Sequence, residues 1–171
     1  MKSVATIVVM RHAQAIELRP GGIDLARTLT PRGREDARRM GQWLRLQVPN
    51  LARVISSPAV RAAQTVETVL MDWPAPASQT VFEPSMYLAE LETLVGLLAG
   101  SDAAPCLFVG HNPGLEDLLQ WLVSEAEGAR PDLGLSPAAI TVVKFSLDTD
   151  RVAQGSARVD CQMTPDRLAR D

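Results

Sequence analysis

Residues Val4–Ala5–Thr6–Ile7–Val8–Val9–Met10 form a charge-free run of aliphatic and β-branched side chains that ends abruptly in Arg11–His12–Ala13. Such a run reads as a strand covered on both faces, hence a central strand of a sheet. Open α/β sheets gather ligands in the crevice beyond the carboxyl ends of their strands. A guanidinium and an imidazole therefore stand where a site forms. Arg11 offers a permanent charge with a planar donor fork matched to an anion. Positive charge beside His12 disfavours its imidazolium and keeps a ring lone pair available for nucleophilic attack. Taken alone, the pair is equally compatible with a plain strand end.

The pattern then recurs. Cys106–Leu107–Phe108–Val109–Gly110 is a second fully apolar strand, and it runs into His111–Asn112–Pro113–Gly114. Asn112 is expected to cap, and Pro113 to start, a helix carrying Leu115, Leu118, Leu119 and Leu122 inward. The free N–H groups at such a helix start favour an anion. The chain contains two histidines, and both follow apolar strands. Histidines buried merely as core residues would have no reason to share that position.

Between these strands, Gln14 to Leu29 is a loop with Pro20–Gly21–Gly22 as its turn, long enough to form a wall of the site. Asp24 and Arg27 lie on it, either as a surface ion pair or as wall residues. Thr30–Pro31 opens an amphipathic helix to about Gln47, with Ala37, Met40, Trp43, Leu44 and Val48 on its apolar side. Its arginines interleave with Glu35 and Asp36 as a mostly solvated face. Val54–Ser56 is a short strand. Ser57–Pro58 reads as cap and first residue of a helix to about Met71, with Val60, Ala63, Val66 (or Thr65) and Leu70 inward. Arg61 in its first turn opposes the helix dipole by roughly a few tenths of a kcal/mol. Local violations of this kind tend to fall at sites.

Gln79–Phe82 is a further short strand, and Tyr87–Leu88 precede a helix bearing Leu91, Leu94, Val95, Leu97 and Leu98. Glu83, Glu90 and Glu92 supply carboxylates in this region, with Glu83 and Glu90 the candidate proton donors. After a loop over Ser124–Pro137, Ala139–Phe145 and Ala157–Met163 form an antiparallel hairpin around a polar turn at Thr149–Gly155. Thr164–Pro165 begins a terminal turn to Leu168.

With 171 residues, 46% hydrophobic and 22% charged, the chain is expected to be one soluble domain over residues 1–171. A net charge of −3 argues against a general nucleic-acid or membrane-surface binder, so any cationic site is local. Cys106 and Cys161 have no metal-ligand spacing and read as reduced core residues. The start of the chain lacks a signal peptide and no apolar stretch reaches bilayer length, giving a cytoplasmic expectation. Without a Gly-rich phosphate loop or a dinucleotide fingerprint, no nucleotide cofactor is expected. Adjacent guanidiniums repel a cation, so no metal is expected either.

Two arginines and two histidines at one sheet edge make a cationic pocket whose fitting guest is a tetrahedral phosphoryl group. Arg11 and Arg61 would each contribute charge-assisted bonds worth about 1.5–3 kcal/mol, and His111 would donate another. His12 would attack phosphorus in line, forming a phosphohistidine that water cleaves.

Met10–Ala13, Leu29–Thr30–Pro31–Arg32–Gly33–Arg34, Ser56–Ser57–Pro58–Ala59–Val60–Arg61–Ala62–Ala63–Gln64–Thr65 and Val109–Gly110–His111–Asn112–Pro113–Gly114, in this order, resemble the histidine phosphatase superfamily. The chain is similar in particular to its small SixA-type phosphohistidine phosphatases. The resemblance covers about Val4 to Leu119, and more loosely Met163–Leu168. It implies an α/β three-layer sandwich of the phosphoglycerate mutase-like kind, with a mostly parallel sheet and helices on both faces. It also implies His12 as nucleophile, a phosphate pocket of Arg11, Arg61 and His111 (with Asn112 beside it), and no metal or organic cofactor. Ala13 stands where the superfamily usually has glycine, a change that the SixA-type group accepts. No counterpart of the acidic proton donor of phosphoglycerate mutases is evident, which leans toward a phosphohistidine substrate, whose bond needs less acid help. The partner would then be a phosphohistidine-bearing protein. A small-molecule phosphomonoesterase or mutase, and a phospho-residue binding module without turnover, are the alternatives.

Overall fold

The computed structural model describes residues 4–73, 79–99, 105–123, 132–146 and 152–170. Six strands, β1 (Val4–Arg11), β2 (Arg53–Ser56), β3 (Gln79–Phe82), β4 (Cys106–Gly110), β5 (Ile140–Ser146) and β6 (Ala157–Met163), form one sheet in the order β3-β2-β4-β1-β5-β6. The pairs β3–β2, β2–β4 and β4–β1 are parallel, whereas β5 pairs antiparallel with both β1 and β6. β5 alone therefore runs against the rest, and the sheet is mostly parallel. The two charge-free runs, β1 and β4, take adjacent central places, as their lack of polar alternation predicts.

Helices cover both faces. On one, α1 (Pro31–Gln47) and α2 (Val60–Leu70) bury Ala37, Met40, Leu44, Ala62, Val66 and Val69 against Val8, Met10, Leu107 and Val109. On the other, α3 (Leu91–Ala99) and α4 (Gly114–Leu122) bury Leu94, Leu98, Leu115, Leu118, Leu119 and Leu122 against Ile7, Val9, Cys106 and Phe108. Successive residues of β1 thus feed opposite cores, the period-two alternation of a strand with no solvent face. A terminal turn of helix, α5 (Pro165–Leu168), sits by α1, where Arg39 donates to the Leu168 carbonyl and leaves the solvated face expected for it.

α1 begins as its sequence requires. The Thr30 hydroxyl accepts from Gly33 N at 2.9 Å, and Pro31 occupies the first helical position. Two other helix starts differ from expectation. α2 begins at Val60 with Ala59 at the cap and no side-chain cap bond; the Ser57 hydroxyl accepts from Ala59 N at 3.2 Å, one residue before the helix, and also bonds His111 at the sheet edge. Its inward face is accordingly Arg61, Ala62, Thr65, Val66, Thr68 and Val69, with Val60 and Ala63 only half-buried. α4 begins at Gly114 without a side-chain cap, since the Asn112 amide is drawn to Glu116 and Leu135. The loop expected over Ser124–Pro137 and the turn over Thr149–Gly155 lie partly outside the described residues. Cys106 and Cys161 are both free thiols. Among the described residues, no helix is long and apolar enough to cross a membrane.

Candidate active site

Parallel pairing in register puts the ends of three neighbouring strands at one edge. Arg11 pairs with Gly110 and Ser56 with Val109, so His12, Ser57 and His111 each follow directly beyond the ladder. The backbone carries the alignment one residue further, with His12 N donating to Gly110 O and Ser57 N to Val109 O. The His12 and His111 rings end with centroids 5.1 Å apart. Arg61 enters from the first turn of α2. Its backbone is fixed through Thr65, whose hydroxyl donates to Arg61 O at 2.7 Å and accepts from Ala13 N at 3.0 Å.

Arg61 sets the protonation pattern of both rings. Its Nε lies 3.2 Å from His12 Nε2, and its Nη2 lies 3.3 Å from His111 Nδ1. A guanidinium only donates, so both of these nitrogens are bare acceptors. The ring protons must then lie on the far sides. His12 Nδ1 donates to the Ala13 carbonyl at 2.8 Å, and His111 Nε2 donates to the Ser57 hydroxyl at 2.8 Å. Burial, reinforced by Arg61, Arg11 and Arg27 and opposed by the Ala13 carbonyl, brings His12 down to about 4. Burial, then His12 and Arg61, brings His111 down to about 3. Both rings are neutral at pH 7, and in this state His111 faces the pocket as an acceptor, not the donor expected from sequence.

The loop from Gln14 to Leu29 closes one side. Asp24 does what both of its sequence readings allowed, pairing with Arg27 and lining the pocket. Its carboxylate accepts from Tyr87 Oη at 2.7 Å, Arg61 Nη2 at 2.9 Å and Arg27 Nη1 at 3.0 Å, and its backbone carbonyl accepts from Arg61 Nη1 at 2.7 Å. Tyr87 first, then Arg27 and Arg61, hold the Asp24 carboxyl far below the usual carboxylate range. It is ionised and has no proton to give.

Glu83 is bonded elsewhere. Its carboxylate accepts from Ser85 N and Ser85 Oγ, capping the short turn Pro84–Met86. Glu90 is exposed and contributes its backbone carbonyl to the start of α3. Among the described residues, neither carboxylate bonds to His12, Arg61 or His111.

Arg11 reaches the pocket's other side, near enough that its charge lowers both histidines. Its Nη1 donates to Leu135 O at 2.9 Å, while its Nε is buried without a partner. Asn112 Nδ2 donates to the same carbonyl at 3.0 Å and to Glu116 Oε1 at 2.8 Å, and Glu116 Oε1 also accepts from Leu135 N. Glu116 therefore holds the residue, Leu135, whose carbonyl takes Arg11. Sequence reasoning missed Ser57, Thr65, Tyr87 and Glu116 as parts of this site. Ser57 was within reach, because it follows a parallel strand at the same edge as the two histidines. Among the described residues, no group of acidic, His or Cys side chains is placed to hold a metal ion.

A mostly parallel sheet with paired histidines and arginines at its strand ends is suited to a phosphoryl group, and residues 7–81 match the histidine phosphatase superfamily (branch 1). The chain is similar to the phosphohistidine phosphatase SixA of Escherichia coli K12, at 29% identity over 166 residues, covering 95% of each. A solved structure of the protein histidine phosphatase SixA complexed with tungstate superposes with a TM-score of 0.78 at 26% identity, covering 95% of this chain and 99% of that one. An uncharacterized protein of Mycobacterium tuberculosis H37Rv is 35% identical over 107 residues, 61% of this chain, and the match spans 63% of that relative's length.

Proposed function

We propose that this protein is a phosphohistidine phosphatase that removes the phosphoryl group from histidine on a signalling or phosphotransfer protein, through a covalent intermediate on His12. Its bare Nε2, held in place by the Nδ1 bond to Ala13, attacks phosphorus in line. The bond from phosphorus to the substrate nitrogen breaks opposite it, and the electron pair stays with that nitrogen. A substrate ring protonated at its second nitrogen leaves as neutral imidazole without taking a proton from the enzyme. Water then attacks phosphorus, the bond to His12 Nε2 breaks, and inorganic phosphate departs, with the surplus proton of water passing to solvent. Arg61 and Arg11 receive the phosphoryl oxygens, with His111 and Asn112 beside them, and no metal or organic cofactor takes part.

Asp24 is the observation that carries the choice of substrate. Among the described residues, the carboxylate that bonds Arg61 in the pocket is ionised and held by three donors, so it cannot protonate an ester oxygen. That supports a phosphoramidate over a phosphomonoester. The likeness to SixA along nearly the whole chain points the same way. The two free thiols fit the reducing cytoplasm.

Turnover by wild type and His12→Ala, measured side by side on a phosphohistidine protein and on an aryl phosphate, tests the reading. Strong activity on the first substrate that disappears with His12 is expected. Equal or better ester turnover would shift the assignment to a general phosphomonoesterase. Tungstate binding without turnover of either would leave a binding module.

A further inference from the structure

A guanidinium has two donor edges. One joins Nε–H to an Nη2 hydrogen, and the other joins the second Nη2 hydrogen to an Nη1 hydrogen. In Arg61 the first edge faces His12 Nε2 at 3.2 Å and His111 Nδ1 at 3.3 Å. The second faces Asp24, with Nη2 at 2.9 Å from Oδ2 and Nη1 at 2.7 Å from the backbone carbonyl. We infer that Asp24 is a positioning residue, which grips the outer edge of Arg61 so that the inner edge meets a phosphoryl group lying between the two histidines. The inference rests on the reading of this pocket as a phosphoryl site.

The grip is itself braced. Tyr87 Oη and Arg27 Nη1 hold the Asp24 carboxylate, and Arg27 is anchored by Nε to the Ile16 carbonyl at 2.7 Å. The Tyr87 ring stands edge-on to His111 at 5.5 Å between centroids. The Arg61 side chain is only 3% exposed, so without the carboxylate its outer edge would lose a partner where water cannot readily replace it. The guanidinium would then rotate toward other acceptors and carry its inner edge off the histidines. Misplacement by about 1 Å costs on the order of a hundredfold in rate.

The test combines Asp24→Ala, Asp24→Asn, Arg61→Ala and the Asp24→Ala/Arg61→Ala double variant. The first readout is hydrogen exchange at the Arg61 Nε–H, followed by nitrogen-15 NMR. It is expected to be slow in wild type, at least about tenfold faster in Asp24→Ala, and intermediate in Asp24→Asn, which keeps an acceptor oxygen. The second is turnover of a phosphohistidine protein, where Asp24→Ala is expected to lose about ten- to a hundredfold, chiefly in kcat. That loss should vanish in the Arg61→Ala background, since the two residues act as one unit. Unchanged Nε–H protection in folded Asp24→Ala, or full additivity of the two losses, would overturn the inference. Failure of the wild type both to turn over and to bind tungstate would overturn the phosphatase reading instead, while the exchange readout would still decide whether Asp24 holds Arg61.

Discussion

The hydroxyl of Ser57 accepts the Nε2 proton of His111 at 2.8 Å, so a residue at the end of β2 sets the tautomer of a ring at the end of β4. The lone pair on His111 Nδ1 faces Arg61 as a result. Replacement of Ser57 by Ala strands a buried N–H, which costs about 1–3 kcal/mol of stability. It also releases the ring to place a proton against the guanidinium. Chemical denaturation should show the loss, and kcat/KM should fall about tenfold, the equivalent of ~1.4 kcal/mol. Unchanged kinetics in this variant would mean that the His111 tautomer is immaterial.

Acid behaviour follows from the same two rings. His12 titrates near 4, so kcat/KM, corrected for substrate ionisation, should hold down to about pH 4 and then fall. An acid limb near pH 6.5 would place His12 in a wetter setting than the one described. Stability should respond over a wider window. The unfolded chain protonates both histidines at about 6.5, whereas the folded chain resists until about 4 for His12 and about 3 for His111. Between those limits the unfolded state binds more protons, so stability rises with pH, and it drains away as pH falls from about 6.5 to 4. Thermal melts across that range should flatten in His12→Asn and His111→Asn.

Two helices meet at a glycine. A Cβ on Gly41 of α1 would lie 2.4 Å from the Val69 carbonyl oxygen of α2. Gly33 is tighter still, with a Cβ only 2.1 Å from the Gln14 carbonyl, two residues beyond the proposed nucleophile. Both contacts are with backbone, so α1 must separate from α2 at Gly41 and from the loop at Gly33. Gly41→Ala should destabilise by about 1–3 kcal/mol with KM unchanged, while Gly33→Ala should also slow turnover by displacing the strand end. Denaturation paired with kinetics separates the two effects.

Ile16, Leu18, Ile23 and Leu25 are all at least 41% exposed, and all sit on the loop that carries Asp24. If the substrate is a phosphohistidine protein, as proposed, this apolar exposure beside the polar pocket is where that protein would rest. Ile23→Ser should raise KM several-fold for a phosphohistidine protein and leave KM for a small aryl phosphate unchanged. Because Ile23 is 72% exposed, stability should shift by no more than about 0.5 kcal/mol. An equal rise for both substrates would argue against a protein-facing loop.

Patterns written along the chain were readable; contacts that depend on how loops return were not. β1 and β4 declare themselves because burial on both faces removes polar alternation. Thr30–Pro31 marks its helix start because cap and first residue act locally. Ser57 and Asn112 look the same as such caps in sequence, yet their polar groups are drawn across the sheet edge to His111 and to Glu116. The inward face of α2 turned out rotated, because a buried arginine and two threonines take places that hydrophobicity alone assigns to Val60 and Ala63. Asp24 meets Tyr87 across 63 residues of chain, a distance that no local rule spans.

The proposed nucleophile is open to direct capture. Wild-type protein mixed with a phosphohistidine protein and rapidly quenched in alkali, where phosphohistidine survives, is digested and its peptides analysed by mass spectrometry. A phosphoryl group on His12, present in wild type and absent from His12→Ala, is the expected result. Turnover that continues in His12→Ala, with no phosphoryl group on His12 in the wild type, would contradict a covalent intermediate at this residue.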